Sequence, residues 1–267
     1  RIFKVIFLKF NSLGHLTMAA LNVGEDVRIK ATGETASITE SNGHACKVGG
    51  VWLHREDVDS ILAEGKRLRM SDVRMPAGKL EKVVHEYPTL RWKVSSPDSP
   101  VPAPMFFDGG STHTIDNTMS DEELREIVFE LTESEPKFND KVIEDLEKAS
   151  KFNPLIGTAV SFENQFLRAV EIHLAPGAGE ADDIHQHVLD YGLVFIGDTK
   201  IALWKPGPVG KAEHAGDVDL KDGCAVFKSI ANGGFDDNGN PDATKAVHNI
   251  TNRSMDSWLR CYQVEVK

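Results

Sequence analysis

The chain has 267 residues, 40% of them hydrophobic and 27% charged, which is ordinary for a globular protein with a sizeable core. Its 41 acidic residues outnumber 30 basic ones, and a net charge of -11 disfavours a nucleic-acid surface, which requires clustered Lys and Arg. No apolar run approaches the roughly 18–20 residues that span a bilayer, so no membrane segment is predicted.

Residues 1–21 are treated as a leader and set aside from fold prediction. The first 17 residues contain three basic side chains and no acidic one, and Met18 follows them directly. Lys9 interrupts the apolar stretch and no small-x-small cleavage site follows, which argues against a signal peptide. Two interpretations stay open: the segment belongs to the natural chain, or translation starts at Met18 and the leader is an over-extended reading frame.

Residues 22–62 have the pattern of a small β-barrel, because apolar residues recur at period two in short bursts separated by glycine turns. Asn42-Gly43 is the strongest hairpin signal. The stretch "VGEDVRIKATGETASITESNGHACKVGGVWLHREDV" resembles SH3-like and KOW-like modules. That resemblance implies a spacer or protein-docking module, and seven acidic residues against four basic ones disfavour RNA binding by it.

Residues 63–119 are predicted to be a linker and extended segment, since they carry few periodic signals. The run "SSPDSPVPAP" holds four prolines, and proline breaks both helices and inner strands. A domain boundary is therefore predicted in this run.

Residues 120–150 predict a helical hairpin. Ser120 is a good N-cap, and Glu123 completes a capping box. The apolar residues that follow recur at the helical spacing i, i+3, i+4 and i+7: Leu124, Ile127, Val128 and Leu131. Pro136 ends that helix, and Asn139 can cap a second one.

Residues 151–267 return to strands. Seven or eight short apolar runs are joined by Gly, Pro and Asp turns with no helical pattern between them, and they include "FLRAVEIHL", "YGLVFIG", "TKIALWK" and "SWLRCYQVEV". This spacing predicts a closed double-sheet jelly roll, so the overall class is predicted to be mainly β.

Two histidines stand at the entry to one of these strands. His185 and His187 are separated by one residue, Gly179 precedes them with five residues between, and Asp190 follows. Residues i and i+2 of a strand point to the same face, so the two imidazoles can project together into the barrel. Downstream, "AVHNITNRS" contains His248.

The spacing resembles the two sequence motifs of the cupin family, which folds as a double-stranded β-helix. The first motif runs glycine, five residues, His-x-His, three or four residues, glutamate, six residues and glycine; the second ends in histidine, three residues and asparagine. Six residues separate Asp190 from Gly197, and Asn252 stands at the last position of the second motif. The resemblance covers residues 155–267.

The chain departs from this pattern in two ways. Aspartate replaces glutamate, and only two residues separate Asp190 from His187, so that Tyr191 has the three-residue spacing instead. The second motif lacks its proline and glycine, and "ANGGFDDNGNPDAT" is predicted to be a loop insertion before His248. That loop could cover the barrel mouth as a lid or form a plain surface excursion.

The resemblance implies a metal site formed by His185, His187 and His248, with Asp190 as a fourth ligand or a base and Tyr191 as a donor in the pocket. Imidazoles suit several divalent transition metals, with iron the first candidate and Mn, Ni, Zn or Cu as alternatives. Three protein ligands leave positions open for water, O₂ or substrate, which is typical of a catalytic site. If Asp190 does not reach, the site resembles the three-histidine variant of thiol dioxygenases in the same superfamily.

Two functions are therefore predicted as alternatives. The first is a metal-dependent enzyme acting on a small polar molecule, with oxygenase chemistry as the first hypothesis. The second is a non-catalytic cupin barrel that its SH3-like module docks into a larger assembly. The module order and acidic composition resemble proteins of tailed phages, which would imply a virion-associated or host-cytoplasmic location. Cupins often pair through their barrels, so a homodimer is expected.

The remaining histidines and the cysteines are assigned structural or surface roles. His173 is predicted to be a partly exposed strand residue. Surface positions in turns or linkers are predicted for His54, His85, His113 and His214. Three widely spaced cysteines form no disulfide framework, which favours a reducing, cytoplasmic compartment, and Cys224 and Cys261 are predicted to be small buried apolar groups.

Overall fold

The computed structural model describes residues 26–29, 35–41, 45–48, 51–54, 58–64, 67–96, 98–133, 135–208, 211–230, 234–235 and 246–267. The chain divides into two compact units, Arg1–Val58 and Asp59–Lys267. The leader, Asn42-Gly43 and most of the predicted loop insertion lie outside the described residues. Within the described part, no helix is long and apolar enough to cross a membrane.

The described residues are mostly β-strand, so the predicted class is confirmed. The elements are β1 (Asp26–Ile29), β2 (Thr35–Ser41), β3 (Ala45–Val48), β4 (Val51–His54), β5 (Val58–Glu64), β6 (Leu68–Met75), β7 (Leu80–Val84), β8 (Thr89–Lys93), β9 (Met105–Phe107), β10 (Thr112–Asp116), β11 (Leu124–Leu131), α1 (Asp140–Ala149), β12 (Ala159–Glu163), β13 (Leu167–Leu174), β14 (His185–Gln186), β15 (Asp190–Ile196), β16 (Thr199–Pro206), β17 (Ala212–Leu220), β18 (Ala225–Lys228), β19 (Val247–Asn252) and β20 (Leu259–Val266).

The first unit contains β1 to β4, which form an antiparallel meander in which each strand pairs with the next. These strands coincide with the predicted period-two bursts of residues 22–62. Val27 and Ile38 are buried, as expected for apolar residues at that period. The meander alone does not establish a closed barrel, so the SH3-like resemblance stays a prediction.

The second unit is built from three antiparallel sheets and a two-stranded ribbon. We call them the outer sheet (β5-β6-β11-β8-β9), the middle sheet (β12-β13-β20-β15-β18) and the histidine sheet (β14-β19-β16-β17). The ribbon pairs β7 with β10. The middle and histidine sheets together are the two-sheet sandwich that the strand pattern after residue 155 predicts.

One hydrophobic core lies between the outer and middle sheets. It joins residues of β6, β8 and β11 to residues of β13, β15 and β20. The Trp92 and Tyr262 rings stack at its centre, with centroids 4.4 Å apart. Gly192 allows the two sheets to approach closely, because a Cβ there would lie 2.6 Å from Leu68 Cδ2. Burying side chains of this size stabilises the fold by about 1.5–3 kcal/mol each.

A second core lies between the middle and histidine sheets. It contains the opposite faces of β15 and β20, including Tyr191 and Cys261, together with residues of β16 and β19. Since successive side chains of a strand alternate in direction, β20 supplies Tyr262 and Val264 to the first core and Cys261 to this one. The strands β15 and β20 are consequently buried along their whole length.

The first helix of the predicted hairpin is wrong, because residues 124–131 form strand β11 between β6 and β8. Ile127 and Leu131 fit the helical spacing, but together with Phe129 they also alternate along one face of a strand, and all three are buried in the core. β-branched and aromatic residues favour the strand. On the opposite face, Glu126 accepts a 2.8 Å hydrogen bond from Arg91 Nε. One face of β11 therefore packs into the core and the other pairs with a buried arginine, and neither contact follows from the local spacing of apolar residues.

The second predicted helix is present as α1. The Asn139 side chain caps it by accepting a hydrogen bond from the backbone N–H of Val142 at 3.0 Å. Ser120 does not cap a helix; its hydroxyl oxygen accepts from the N–H of Glu122 within a turn.

The predicted linker and domain boundary in residues 63–119 are also wrong. This segment supplies β6 to β10, and it belongs to the same compact unit as residues 151–267. The proline-rich run is fixed to the middle sheet by the fully buried Arg260. Its guanidinium donates to the carbonyl oxygens of Ser96, at 2.6 Å, and Ser99. The prolines prevent strand pairing here, but an arginine far along the chain replaces the missing backbone contacts.

Two histidines predicted to be surface residues belong to a packed aromatic stack. His85 is buried, and its Nε2 lies 2.9 Å from Nδ1 of His113. Phe107 stacks on both rings, at centroid distances of 4.8 and 4.0 Å. His214, by contrast, is exposed on β17, as predicted.

Replacing Arg260 with leucine should lower the free energy of unfolding by more than about 1–3 kcal/mol, the cost of one buried polar group without a partner. Several carbonyl groups of the proline-rich run would lose their donor together. Urea unfolding followed by tryptophan fluorescence measures the change. The exposed Arg253 is the control, because its replacement by leucine should change stability by no more than about 0.5 kcal/mol. Equal effects of the two substitutions would contradict the conclusion that Arg260 holds the proline-rich run in place.

Candidate metal centre

Strand pairing brings His185 and His248 side by side. β14 pairs with β19 in the histidine sheet, and the register sets His185 directly opposite His248. Directly opposed residues of an antiparallel pair have Cα atoms about 4.5–5.5 Å apart, so the register alone makes the two side chains neighbours. Their ring centroids are 4.9 Å apart.

His187 joins this pair from the residues that follow β14. Its backbone N–H donates to the carbonyl of Ala246 at 2.8 Å, which continues the contact with the start of β19. Its Nε2 lies 3.4 Å from Nε2 of His248. One ring nitrogen from each of the three histidines falls within 4.8 Å of the others, and no other such group of three His, Cys, Asp or Glu occurs in the part of the chain that the structure describes.

The glycines and the asparagine of the motif have structural roles around this cluster. Gly179 has φ of +109° and packs against Thr251, where a Cβ would be within about 3.0–3.1 Å of its atoms. Gly197 has φ of +79° in the turn that joins β15 to β16. Asn252 is buried, and its amide donates to the carbonyls of Leu174, Ala175 and Ser257. These residues shape the loops beside the histidines and do not enter the cluster.

Burial keeps the three imidazoles neutral. His185 and His187 are 8% and 1% exposed, and His248 is half-buried. Desolvation lowers the pKa of His187 and of His248 to about 3 and lowers the pKa of His185 well below its usual value. Neutral imidazole is the form that binds a metal, so no proton has to be removed from these rings at neutral pH.

Tyr191 lies against the face of His187. The two rings are nearly parallel, with centroids 3.8 Å apart and planes 14° from each other. Desolvation raises the pKa of the Tyr191 hydroxyl, so it remains a neutral phenol. The predicted pocket residue therefore does adjoin the histidines, and the contact that the structure gives it is stacking.

Asp190 is not part of the cluster. It precedes Tyr191 on β15, so its side chain points to the opposite face of the strand. There its Oδ1 accepts a 2.6 Å hydrogen bond from the N–H of Ile230 and a 3.3 Å bond from the Ser229 hydroxyl. The shortened spacing after His187 reverses the face that the acidic residue occupies, and its carboxylate holds the end of β18 instead.

An acidic residue absent from the sequence prediction lies next to His187. Glu265 is fully buried on β20, opposite Tyr191 in the strand register, and its Oε1 is 3.7 Å from His187 Nδ1. Desolvation raises its pKa to about 7, against the opposing effect of Arg168. Gln263 shares the same face of β20, and neither polar atom of its side chain has a hydrogen-bond partner among the described residues. The sequence signal for these two residues is that Gln263 and Glu265 alternate with apolar residues in the mostly apolar strand "LRCYQVEV".

No family model and no curated protein matches the chain. Solved structures that resemble it include AerE from Microcystis aeruginosa, with 11% identity and a TM-score of 0.49 over 79% of this chain and 92% of that one. A deletion mutant of Bacillus subtilis oxalate decarboxylase has 12% identity and a TM-score of 0.45 over 91% of this chain and 77% of that one. A cupin domain from Bordetella pertussis has 21% identity and a TM-score of 0.28 over 44% of this chain and 98% of that one. None of these TM-scores reaches 0.5.

Replacing Asp190 with alanine should lower the free energy of unfolding by about 1–3 kcal/mol, since the buried N–H of Ile230 loses its acceptor. Uptake of a divalent metal by the histidines should stay unchanged, because Asp190 points away from them. Thermal unfolding and a Zn²⁺ titration measure the two effects. Asp145→Ala, at an exposed position on α1, is the control and should alter neither. Loss of metal uptake in Asp190→Ala, but not in Asp145→Ala, would show that Asp190 is a metal ligand after all.

Proposed function

We propose that this chain is a metal-dependent cupin whose His185, His187 and His248 hold one divalent transition metal. The observation that carries the proposal is the convergence of three neutral, largely buried imidazoles from two positions of the chain. Iron is the first candidate, with Mn, Ni, Zn and Cu as alternatives, because three nitrogen donors accept several of these ions.

The residues present fit such an ion. Two ligands at the usual metal–nitrogen distance of about 2.1 Å lie about 3.0–3.4 Å apart for octahedral to tetrahedral angles. The Nε2 atoms of His187 and His248 are 3.4 Å apart, which agrees with that range. The low pKa values of the imidazoles mean that protons do not compete for the ring nitrogens near neutral pH.

We further propose that the site acts on a small polar molecule, with oxygenase chemistry as the first hypothesis. A bound divalent metal with three protein ligands supplies a Lewis acid and open positions for O₂ or substrate. The surrounding residues keep water from one side of the site. Tyr191 covers one face of the His187 ring, and the second core lies behind Tyr191. His248, the half-buried member, marks the side from which a small molecule would enter.

A non-catalytic barrel is the competing function. The position of Asp190 favours it, since the acidic residue of the cupin motif does not face the histidines. Oxygen uptake by the Fe²⁺-loaded protein, measured with a panel of small thiols and carboxylic acids, distinguishes the two functions. Stoichiometric metal without uptake on any of these compounds would favour the non-catalytic barrel.

Replacing His187 with alanine should abolish stoichiometric metal binding while the fold is retained. Metal content of the purified protein, measured by mass spectrometry, and far-ultraviolet circular dichroism check the two parts. His214→Ala is the matched control, because His214 is exposed on β17 and outside the cluster. Full metal content in His187→Ala would exclude this ligand set.

Chelation should shift the melting temperature of the metal-loaded protein by only a few degrees. The two hydrophobic cores supply most of the stability, whereas a small structural zinc domain draws its folding free energy from the ion. Thermal melts with and without chelator measure the shift. Collapse of the melting transition on chelation would mean that the metal is structural, and the proposed catalytic role would be wrong.

A further inference from the structure

The two ring nitrogens of His187 face different surroundings. Nε2 points toward His248, at 3.4 Å from its Nε2. Nδ1 points away from the cluster; it is buried and has no hydrogen-bond partner among the described residues. A buried ring nitrogen without a partner is costly, so a hydrogen-bond acceptor beside Nδ1 would stabilise the ring.

One acidic oxygen lies close to it: Oε1 of Glu265 is 3.7 Å from Nδ1. The side chains of both residues are almost completely buried, at 1% and 3% exposure, so little water can intervene. Glu265 lies opposite Tyr191 in the register of β15 and β20, and Tyr191 stacks on the His187 ring. The ring is thus covered by a phenol on its face and by a carboxylate at its edge.

We propose that Glu265 is a positioning residue for His187. Its carboxylate accepts a hydrogen bond from Nδ1–H, which fixes the neutral tautomer with the lone pair on Nε2, facing His185 and His248. Metal-binding histidines are commonly held in this way by a carboxylate behind the ring. The ligand role of Nε2 rests on the proposed function, whereas the choice of tautomer does not.

The geometry excludes Glu265 as a fourth ligand in this arrangement. Its carboxylate lies on the Nδ1 side of the imidazole, and the metal-facing nitrogen is on the other side of the ring. The distance of 3.7 Å is slightly longer than a hydrogen bond, and functional hydrogen bonds in unliganded sites are often long and shorten on binding.

A different role for Glu265 would be only to neutralise Arg168. Its Oε2 is 3.6 Å from Arg168 Nη1. However, Arg168 has two nearer acidic partners: Glu147 at 2.7 Å and Glu163 at 3.2 Å. Arg168 therefore keeps its charge balanced without Glu265, and removal of Glu265 leaves no unpaired buried cation.

The test compares the metal-free wild-type protein with Glu265→Leu, Glu265→Gln and the control Glu163→Gln. Long-range ¹H–¹⁵N correlation spectra of histidine-labelled protein identify which nitrogen of His187 carries the proton, with assignment from His187→Gln. Wild type, Glu265→Gln and Glu163→Gln should retain the Nδ1–H tautomer, because the glutamine amide oxygen can also accept. Glu265→Leu should populate the Nε2–H tautomer.

Zn²⁺ affinity, measured by competition with a chromophoric chelator, is the second readout. Glu265→Leu should weaken binding about 10–100-fold, while Glu163→Gln stays within about twofold of wild type. A wild-type His187 protonated on Nε2, or an unchanged tautomer in Glu265→Leu, would overturn the proposal. If the tautomer follows Glu265 but the wild type binds no Zn²⁺, the positioning is upheld and the metal function is refuted.

Discussion

The burial of strands β15 and β20 of the middle sheet on both faces is the constraint on which the rest of the structure depends. The outer sheet covers one face with an apolar core, and the histidine sheet covers the other. No surface of β15 or β20 is left for water, so a polar side chain on these strands needs a partner within the protein. Arg260 on one face and Glu265 on the other are two results of this requirement.

The same burial determines the chemistry of the histidines. Desolvation makes the imidazoles neutral, and the backbone register of β14 and β19 holds two of them together before any ion is bound. Since the ladder of hydrogen bonds sets their separation, strand pairing organises this part of the cluster.

The sequence predicted the parts of the fold whose signals are local. The strands after residue 155 are short apolar runs between turn residues, and the His-x-His spacing identified two members of the cluster directly. β11 escaped prediction because its apolar residues fit a helical stripe as well as a strand, and only pairing with β6 and β8 distinguishes the two. The hydrogen bonds from Arg260 to the proline-rich run join residues over 160 positions apart, so no local sequence pattern predicts them.

The site was predictable to a similar extent. His248 could be connected to the first two histidines through its motif, but the face that Asp190 occupies depends on the length of a loop. Glu265 has no characteristic spacing from His187, so its proximity follows only from the order of β15 and β20 in the middle sheet. The neighbour of a clustered histidine is here determined by sheet order, which a single sequence does not reveal.

The close approach at Gly192 has a consequence for how this protein can change over generations. A methyl group there would lie 2.6 Å from Leu68 Cδ2 and 2.7 Å from Met70 Sδ, so alanine at position 192 requires these two side chains to give way. Positions on β6 and β15, which are far apart in the chain, therefore share one steric constraint. In related sequences, a larger residue at position 192 should occur together with a smaller residue, or one of different shape, at position 68 or 70. Substitutions in the two sheets should therefore be correlated.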